Sequence, residues 1–432
     1  MTAILIGYMF LLPITIGFSI LGVHVFFYRI LGVMFLLVYA SHLWRGSMKP
    51  GVVIKHSLPF LWALLWVLVN EGSHVAAGRF DPKFLLFLIT PLYVMAMVDF
   101  VSAMTPAWRE RVLFHTVSLV SVVTDLTALL LYILAARYGI FVKMMTPNPT
   151  YFDYSRLSGL WGDPNFYALF VLVFFPINVR NLFHRAGRLP LIAVSLNILT
   201  IVLTFSRFGW LCFALEVFVI VITRFRDHST RISVELATLA LALSLVLASL
   251  GFVGPAVIRR FTQSSSDIVD ASSRFVLWKT ALDRFNSSDL IAGTDTALRR
   301  MIGIGIGNGD IILAPVYGVP KYMHNTYLDL VAELGIVGWF FVFLAPSSVY
   351  RIIRRKSSDQ IYLLALAIGV YGMLLSLSWD YSPLYFGVYF VSLAIVPTVR
   401  KGSAGSLVNS ANEVPASTTN AGTTDDGSTV EG

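Results

Sequence analysis

The 432-residue chain is 56% hydrophobic and 13% charged, about half the charged share of a soluble domain, and its mean hydropathy is +0.75. That excludes a soluble globular protein. It also argues against a nucleic-acid partner, because the net charge of +8 comes from cations set in short loops between apolar runs, where they fix membrane topology. The single cysteine, Cys212, excludes an internal disulfide and a cysteine-based metal site.

Apolar runs of about 20 residues recur along the chain, the pattern of a polytopic helical membrane protein rather than of a β-barrel with its short alternating segments. About twelve spans are predicted on that length rule, near residues 3–21, 26–44, 58–75, 83–103, 113–136, 161–179, 189–206, 208–223, 232–253, 326–349, 361–378 and 384–398. The first run lacks a basic leader and continues into the second, unlike a cleavable signal peptide. With this number of spans the cation-rich loops 45–57, 180–188, 224–231 and 351–356 fall on one side, which puts both termini in the cytoplasm.

One loop is long, residues 254–325, and parity places it outside the cytoplasm. Within it "SSRFVLWKTALDRF" sets Phe275, Trp278, Leu282 and Phe285 at helical spacing behind a capping Ser272 or Ser273. Such an amphipathic helix is expected to lie on the membrane surface or to close over the spans. Residues 1–400 thus read as one integral membrane domain, and residues 401–432, rich in Ser, Thr, Gly and Asn, as a disordered cytoplasmic tail.

Four polar stretches map to the outer side. In "SRLSGLWGDPNFYALF", Asp163 and Pro164 suit a capped helix start, whereas Arg156 is not required by one. "LTFSRFGW" interrupts an apolar run as a tight turn between two short spans and leaves Arg207 at the membrane edge. An arginine there either snorkels to headgroups or serves a function. In "RRMIGIGIGNGD", Gly303, Gly305, Gly307 and Gly309 alternate without a Walker loop or a dinucleotide fingerprint, so they allow close backbone approach to a ligand or to a packed helix. The fourth is His324 with Asn325, just before a new apolar run. Arginine's planar fork suits a pyrophosphate, and a histidine suits proton abstraction from a hydroxyl. Arg156, Arg207 and Arg274 together with His324 therefore point to a pyrophosphate-bearing lipid. No DxD-like metal pair lies on that side, so the arginines would neutralise the leaving group.

Together "RLSGLWGDPN", "TFSR", "SRFVLW", "GIGIGNG" and "HNTYLDLVAELGIVGW" resemble the O-antigen ligase and O-antigen (exopolysaccharide) polymerase superfamily over about residues 150–350. The resemblance implies an all-α, GT-C-like membrane fold with a large periplasmic loop in the bacterial inner membrane. It implies a metal-independent, inverting glycosyltransferase without a cofactor, acting on an undecaprenyl-pyrophosphate-linked glycan and an acceptor glycan or glycolipid, alongside membrane lipid and other polysaccharide-export components. Carried onto this sequence, it makes His324 the catalytic base, assigns Arg156, Arg207 and Arg274 to the pyrophosphate, and gives Asn325 the task of orienting the base or binding sugar. Repeat-unit polymerase, ligase to lipid A core and, from a different class, a flippase of lipid-linked glycans remain the alternatives.

Overall fold

The computed structural model describes residues 1–14, 17–20, 23–76, 78, 81–138, 156–185, 187–225, 264–287, 296–354, 359–378 and 382–394. Met1–Ile395 form one compact unit. The predicted span at 232–253 and the tail beyond 400 lie outside the described residues.

The protein is a multi-pass membrane protein built almost wholly of helices. Among the described residues five helices are long and apolar enough to cross a bilayer: Phe27–Trp44, Lys83–Ala103, Pro106–Ala135, Pro164–His184 and Ile336–Arg354. Thr2–Leu11, Arg188–Leu203, Gln360–Met373 and Pro383–Ala394 are shorter and equally apolar. Their outward faces show why lipid is the solvent. On Pro106–Ala135 the exposed side chains include Leu119, Val123, Leu126, Leu130 and Ile133, and on Arg207–Phe225 they include Leu211, Leu215, Phe218 and Ile222. In water such stripes would drive aggregation; in hydrocarbon they are the natural surface.

In chain order the helices used below are α1 (Thr2–Leu11), α2 (Phe27–Trp44), α3 (Val52–His56), α4 (Leu58–Ala76), α5 (Lys83–Ala103), α6 (His115–Tyr138), α7 (Pro164–Arg185), α8 (Arg188–Leu203) and α9 (Arg207–Phe225). They continue with α10 (Ser264–Phe285), α11 (Thr296–Ile302), α12 (Thr326–Leu334), α13 (Ile336–Arg354), α14 (Gln360–Met373) and α15 (Pro383–Ala394).

Several elements depart from the sequence reading. The first span, expected over 3–21, stops at Leu11, one residue short of the Leu12-Pro13 step that cannot continue a helix. An antiparallel hairpin follows, with Gly17–Ile20 paired to Val23–Phe26 and Gly17 opposite Phe26. The stretch 326–349 is two helices rather than one, because Gly335 takes φ +60° between α12 and α13. The loop helix begins at Ser264, so Ser272 and Ser273 lie inside it instead of capping it. Its buried face is Leu277, Ala281 and Phe285, while Phe275 and Leu282 are exposed. Finally, α4 runs on to Ala76 and carries Asn70, Glu71 and His74 into the interior.

Two devices hold the interior together. Where α9 meets α14, Gly369 and Gly372 leave room for Glu216 and Cys212, and a Cβ on Gly369 would overlap the Glu216 carboxyl. Small residues of this kind let membrane helices approach closely. Beside it a ladder of side-chain hydrogen bonds joins α6, α7 and α8. Tyr167 Oη donates to Asp125 Oδ1 (2.5 Å), Asn197 Nδ2 to Asp125 Oδ2 (2.6 Å), Asn178 Nδ2 to Asn197 Oδ1 (2.9 Å), Ser118 Oγ to Asn178 Oδ1 (2.9 Å) and Asn181 Nδ2 to Ser118 Oγ (2.8 Å). In a medium without water each of these groups needs its partner, so the ladder fixes how the three helices face one another.

Candidate functional site

The Arg156 and Arg207 motifs form one knot at the ends of α7, α8 and α9. Asp163 Oδ1 accepts from the backbone N–H groups of Asn165 (2.7 Å) and Phe166 (3.4 Å), capping α7 with Pro164 at its first position as the sequence predicts. The turn before it takes φ +57° at Gly159 and +68° at Gly162. A Cβ on Gly159 would lie 2.7 Å from the ring of Tyr167, so the end of the polar ladder supports this turn from below.

Arg156 reaches across to the second motif. Its Nε donates to the Thr204 carbonyl (3.0 Å) and its Nη2 to Asn165 Oδ1 (3.3 Å). Ser206 Oγ donates to the same Asn165 oxygen (2.8 Å) and accepts from the Gly209 N–H (3.2 Å), and Leu157 N–H bonds to the Leu203 carbonyl (2.9 Å). Phe205, fully buried, bends the chain through φ +50°, which sets half-buried Arg207 at the first position of α9. The tight turn expected from "LTFSRFGW" is therefore present, and it is tied to Arg156.

His324 sits between two anchored neighbours. On one side Trp278 Nε1 of α10 donates to the Met323 carbonyl (3.0 Å). On the other, Asn325 is buried and caps α12, its Oδ1 accepting from Tyr327 N–H (3.0 Å) and Leu328 N–H (3.1 Å). Thr326 is fully buried and bonds through its N–H to the Leu374 carbonyl (3.0 Å) and through its Oγ1 to the Leu377 carbonyl (2.6 Å). The histidine between them is exposed and takes φ +52°. Among the described residues His324 and Phe205 are the two non-glycine residues with positive φ, and both lie in motifs singled out from the sequence. Strained backbone of this kind concentrates at functional sites.

The charges around His324 join three of the motifs. The protein disfavours the imidazolium by desolvation first, then through the guanidinium of Arg274, while Asp163 pulls the other way and Lys321 adds to the depression; the net result is a pKa below the ordinary histidine value. Arg274 lies one turn before Trp278 on α10, so the bond that fixes Met323 also brings Arg274 to the histidine. Asp163 contributes from the start of α7, beside Asn165 and Arg156. The ring is thus biased toward its neutral form, with Arg274 and Lys321 favouring that form and Asp163 opposing it.

The glycine-rich stretch does a different task. Ile304 N–H bonds to the Ala332 carbonyl (3.0 Å), Gly305 N–H to the Glu333 carbonyl (3.0 Å) and Gly309 N–H to Glu333 Oε1 (2.9 Å). Gly303 at φ +74° has the Glu333 carbonyl where a Cβ would be. On its other side Ile306 N–H bonds to Glu71 Oε2 (3.3 Å), and the Ile302 carbonyl accepts from Asn70 Nδ2 (2.5 Å). Of the two uses open to these glycines, packing against a helix is the one observed. Asn70, Glu71, His74 and Glu333, which make this seam, were not singled out from the sequence. Polar residues at 70, 71 and 74 in an apolar run were the available signal. Among the described residues no group of three or more His, Cys, Asp and Glu side chains gathers as metal ligands would.

The site thus sets an exposed, strained histidine with Arg274 near it, and a hydrogen-bonded Arg156–Thr204 turn, within a helical membrane bundle. A family model described as O-antigen ligase matches residues 192–343, which include the Arg207 turn, α10, the glycine-rich stretch and His324, with Arg156 preceding it. The resemblance to the O-antigen ligase and polymerase superfamily therefore holds over this part of the chain, and it indicates a glycosyltransferase-like enzyme of surface-polysaccharide biosynthesis, with a lipid-linked glycan and an acceptor as its general partners. No curated protein matches the chain.

Proposed function

We propose that this protein transfers a glycan from a polyprenyl (undecaprenyl) pyrophosphate to an acceptor sugar hydroxyl at the periplasmic face of the bacterial inner membrane, as a repeat-unit polymerase of O-antigen or exopolysaccharide. The observation that carries the reading is His324, held at φ +52° between anchored neighbours with Arg274 and Asp163 beside it. The imidazole takes the acceptor's hydroxyl proton as the hydroxyl oxygen bonds to the anomeric carbon. The bond from that carbon to the pyrophosphate oxygen breaks, and the pyrophosphate leaves with the electron pair. Attack from the face opposite the leaving group inverts the anomeric centre. Arg156, Arg207 and Arg274 bind the pyrophosphate and stabilise the charge it gains, so no metal ion is needed. Asn325 orients the base by holding the turn that bears it.

The match to an O-antigen ligase family favours a second reading, transfer of the finished glycan to lipid A core by the same chemistry. One experiment separates the readings. Purified protein in lipid nanodiscs receives a synthetic polyprenyl-pyrophosphate glycan together with either a second lipid-linked repeat unit or a lipid A core acceptor, with chelator present. Polymer with the first acceptor supports the polymerase, and product with the second alone supports the ligase. Full activity in His324→Ala removes the base, loss with chelator removes the metal-free step, and lipid movement without a new glycosidic bond makes the protein a flippase.

A further inference from the structure

We propose that Asp163 and Asn165, at the start of α7, bind hydroxyl groups of the donor's first sugar, the one bonded to pyrophosphate; this rests on the transfer reaction proposed above. Three contacts bring the starts of α7, α9 and α12 to one end of the bundle. A Cβ on Gly209 of α9 would lie 2.9 Å from Ala168 Cβ of α7. Gly372, in the last turn of α14, faces Cys212 of α9, and a Cβ there would lie 2.9 Å from the thiol sulfur. Just beyond it, the Leu374 carbonyl accepts from Thr326 N–H (3.0 Å), beside the His324–Asn325 pair. Asp163 is close enough for its charge to act on His324, and Asn165 Oδ1 accepts from Arg156 Nη2 (3.3 Å). The reaction then fixes what lies between arginine and histidine. The anomeric carbon is bonded to the pyrophosphate on one side and attacked by the acceptor hydroxyl on the other, so the sugar that carries it spans the space from Arg156 to His324.

Each of the two residues keeps one polar atom open. Asn165 Oδ1 accepts from both Arg156 Nη2 and Ser206 Oγ (2.8 Å). Two donors on that atom fix it as the oxygen and its neighbour as the nitrogen. Nδ2 makes no hydrogen bond among the described residues and is not sealed in the interior. Asp163 commits Oδ1 to the N–H groups of Asn165 and Phe166, and its Oδ2 is open in the same way. Both residues are half-buried, and the capping bonds hold them in place as a donor beside an acceptor. A hydroxyl both donates and accepts, so two hydroxyls of one ring satisfy the pair, one donating to Asp163 Oδ2 and one accepting from Asn165 Nδ2. Other occupants leave it unmet. A pyrophosphate offers acceptors alone and is repelled by the Asp163 carboxylate, and a hydrocarbon chain pairs with neither atom.

Asp163→Asn and Asn165→Asp are close to isosteric. Each keeps the Oδ1 bonds of the cap or of the Arg156 turn and exchanges only the open atom. Binding to purified protein in lipid nanodiscs is measured for polyprenyl pyrophosphate bearing the glycan and for polyprenyl pyrophosphate alone. The readout is the ratio of the two dissociation constants, in which a changed charge near the phosphates cancels. Each variant should reduce the preference for the glycan-bearing lipid about tenfold or more, the usual loss for a hydrogen bond to a charged or buried partner. An unchanged ratio, whether both ligands weaken or neither does, overturns the proposal. The unaltered protein supplies a second measurement, with donors that lack one hydroxyl of the first sugar at a time. One such deletion should weaken wild-type binding by a similar factor and weaken Asn165→Asp no further; if no deletion affects the wild type, the sugar is not bound here. Wild-type protein that shows this preference but forms no glycosidic bond removes the catalytic reading and leaves the sugar site in place.

Discussion

At His324 a backbone conformation and a pKa serve the same end. A non-glycine residue in the left-handed region costs about 1–3 kcal/mol, and His324 bears that at φ +52°. Glycine adopts this region freely. His324→Gly is therefore expected to match or exceed the wild type in thermal stability while glycan transfer falls by about 10²–10⁴, the usual contribution of a general base. A large loss of Tm would mean the histidine is kept for packing. The pH profile follows from the sign of the shift. A base must be unprotonated to act, and desolvation and Arg274 lower the pKa of His324, so the acid limb of activity should lie below the ordinary histidine value of about 6.5. Arg274→Gln removes one of those causes and should move the limb to higher pH. The same depression means the native state takes up fewer protons than the unfolded chain, so this residue's share of stability is present above the ordinary value and is lost as pH falls through the depressed one.

Among elements, the seam between the glycine-rich stretch and α12 is the most exacting. Gly335 combines φ +60° with a position where a Cβ would lie 2.5 Å from the Met301 carbonyl oxygen and 2.6 Å from the Gly303 nitrogen. Gly318 has φ +74° and open space around it. Gly318→Ala should cost only the backbone term, about 1–2 kcal/mol. Gly335→Ala adds a backbone overlap to it and should cost several kcal/mol more than a typical surface change of about 0.5 kcal/mol. Detergent-solubilised protein followed by thermal unfolding ranks the two, and equal Tm values would mean the seam yields. The seam lies at the far end of α12 from His324, so Gly335→Ala is expected to lower activity as well as stability.

For the molecule as a whole, the orientation proposed from the loop cations is open to direct test. Cys212 is the only cysteine, and it is 1% exposed, so the native chain is a quiet background for cysteine mapping. A membrane-impermeant maleimide added to intact spheroplasts should label Val319→Cys, whose parent side chain is 60% exposed in the His324 loop, and should leave Arg354→Cys at the other end of α13 unlabelled until the membrane is opened. The reverse pattern would put the candidate site in the cytoplasm. The polar ladder from Tyr167 to Asn181 is buried among α6, α7 and α8, and its mutual hydrogen bonds explain how several amides and a carboxyl coexist with hydrocarbon.

The sequence by itself determined the solvent and where the candidate polar motifs lie along the chain. Composition and apolar run length require a multi-pass helical protein, because only closed backbone hydrogen bonding survives in lipid, and the Asp163-Pro164 helix start and the turn before Arg207 were legible because capping and turn formation are local. The resemblance assigned His324 and the arginines to one site, whereas the structure sets Arg274 near His324 and ties Arg156 to the turn before Arg207. Tertiary structure decided what depends on contacts between residues far apart in the chain. Periodicity could not show that Trp278 holds Met323, that Arg156 bonds to Thr204, or that Leu277 rather than Phe275 faces inward on a helix apolar on both sides. Nor could it separate α12 from α13, since a glycine in an apolar run reads as part of a span until a neighbouring backbone, here Met301 to Gly303, requires the left-handed turn.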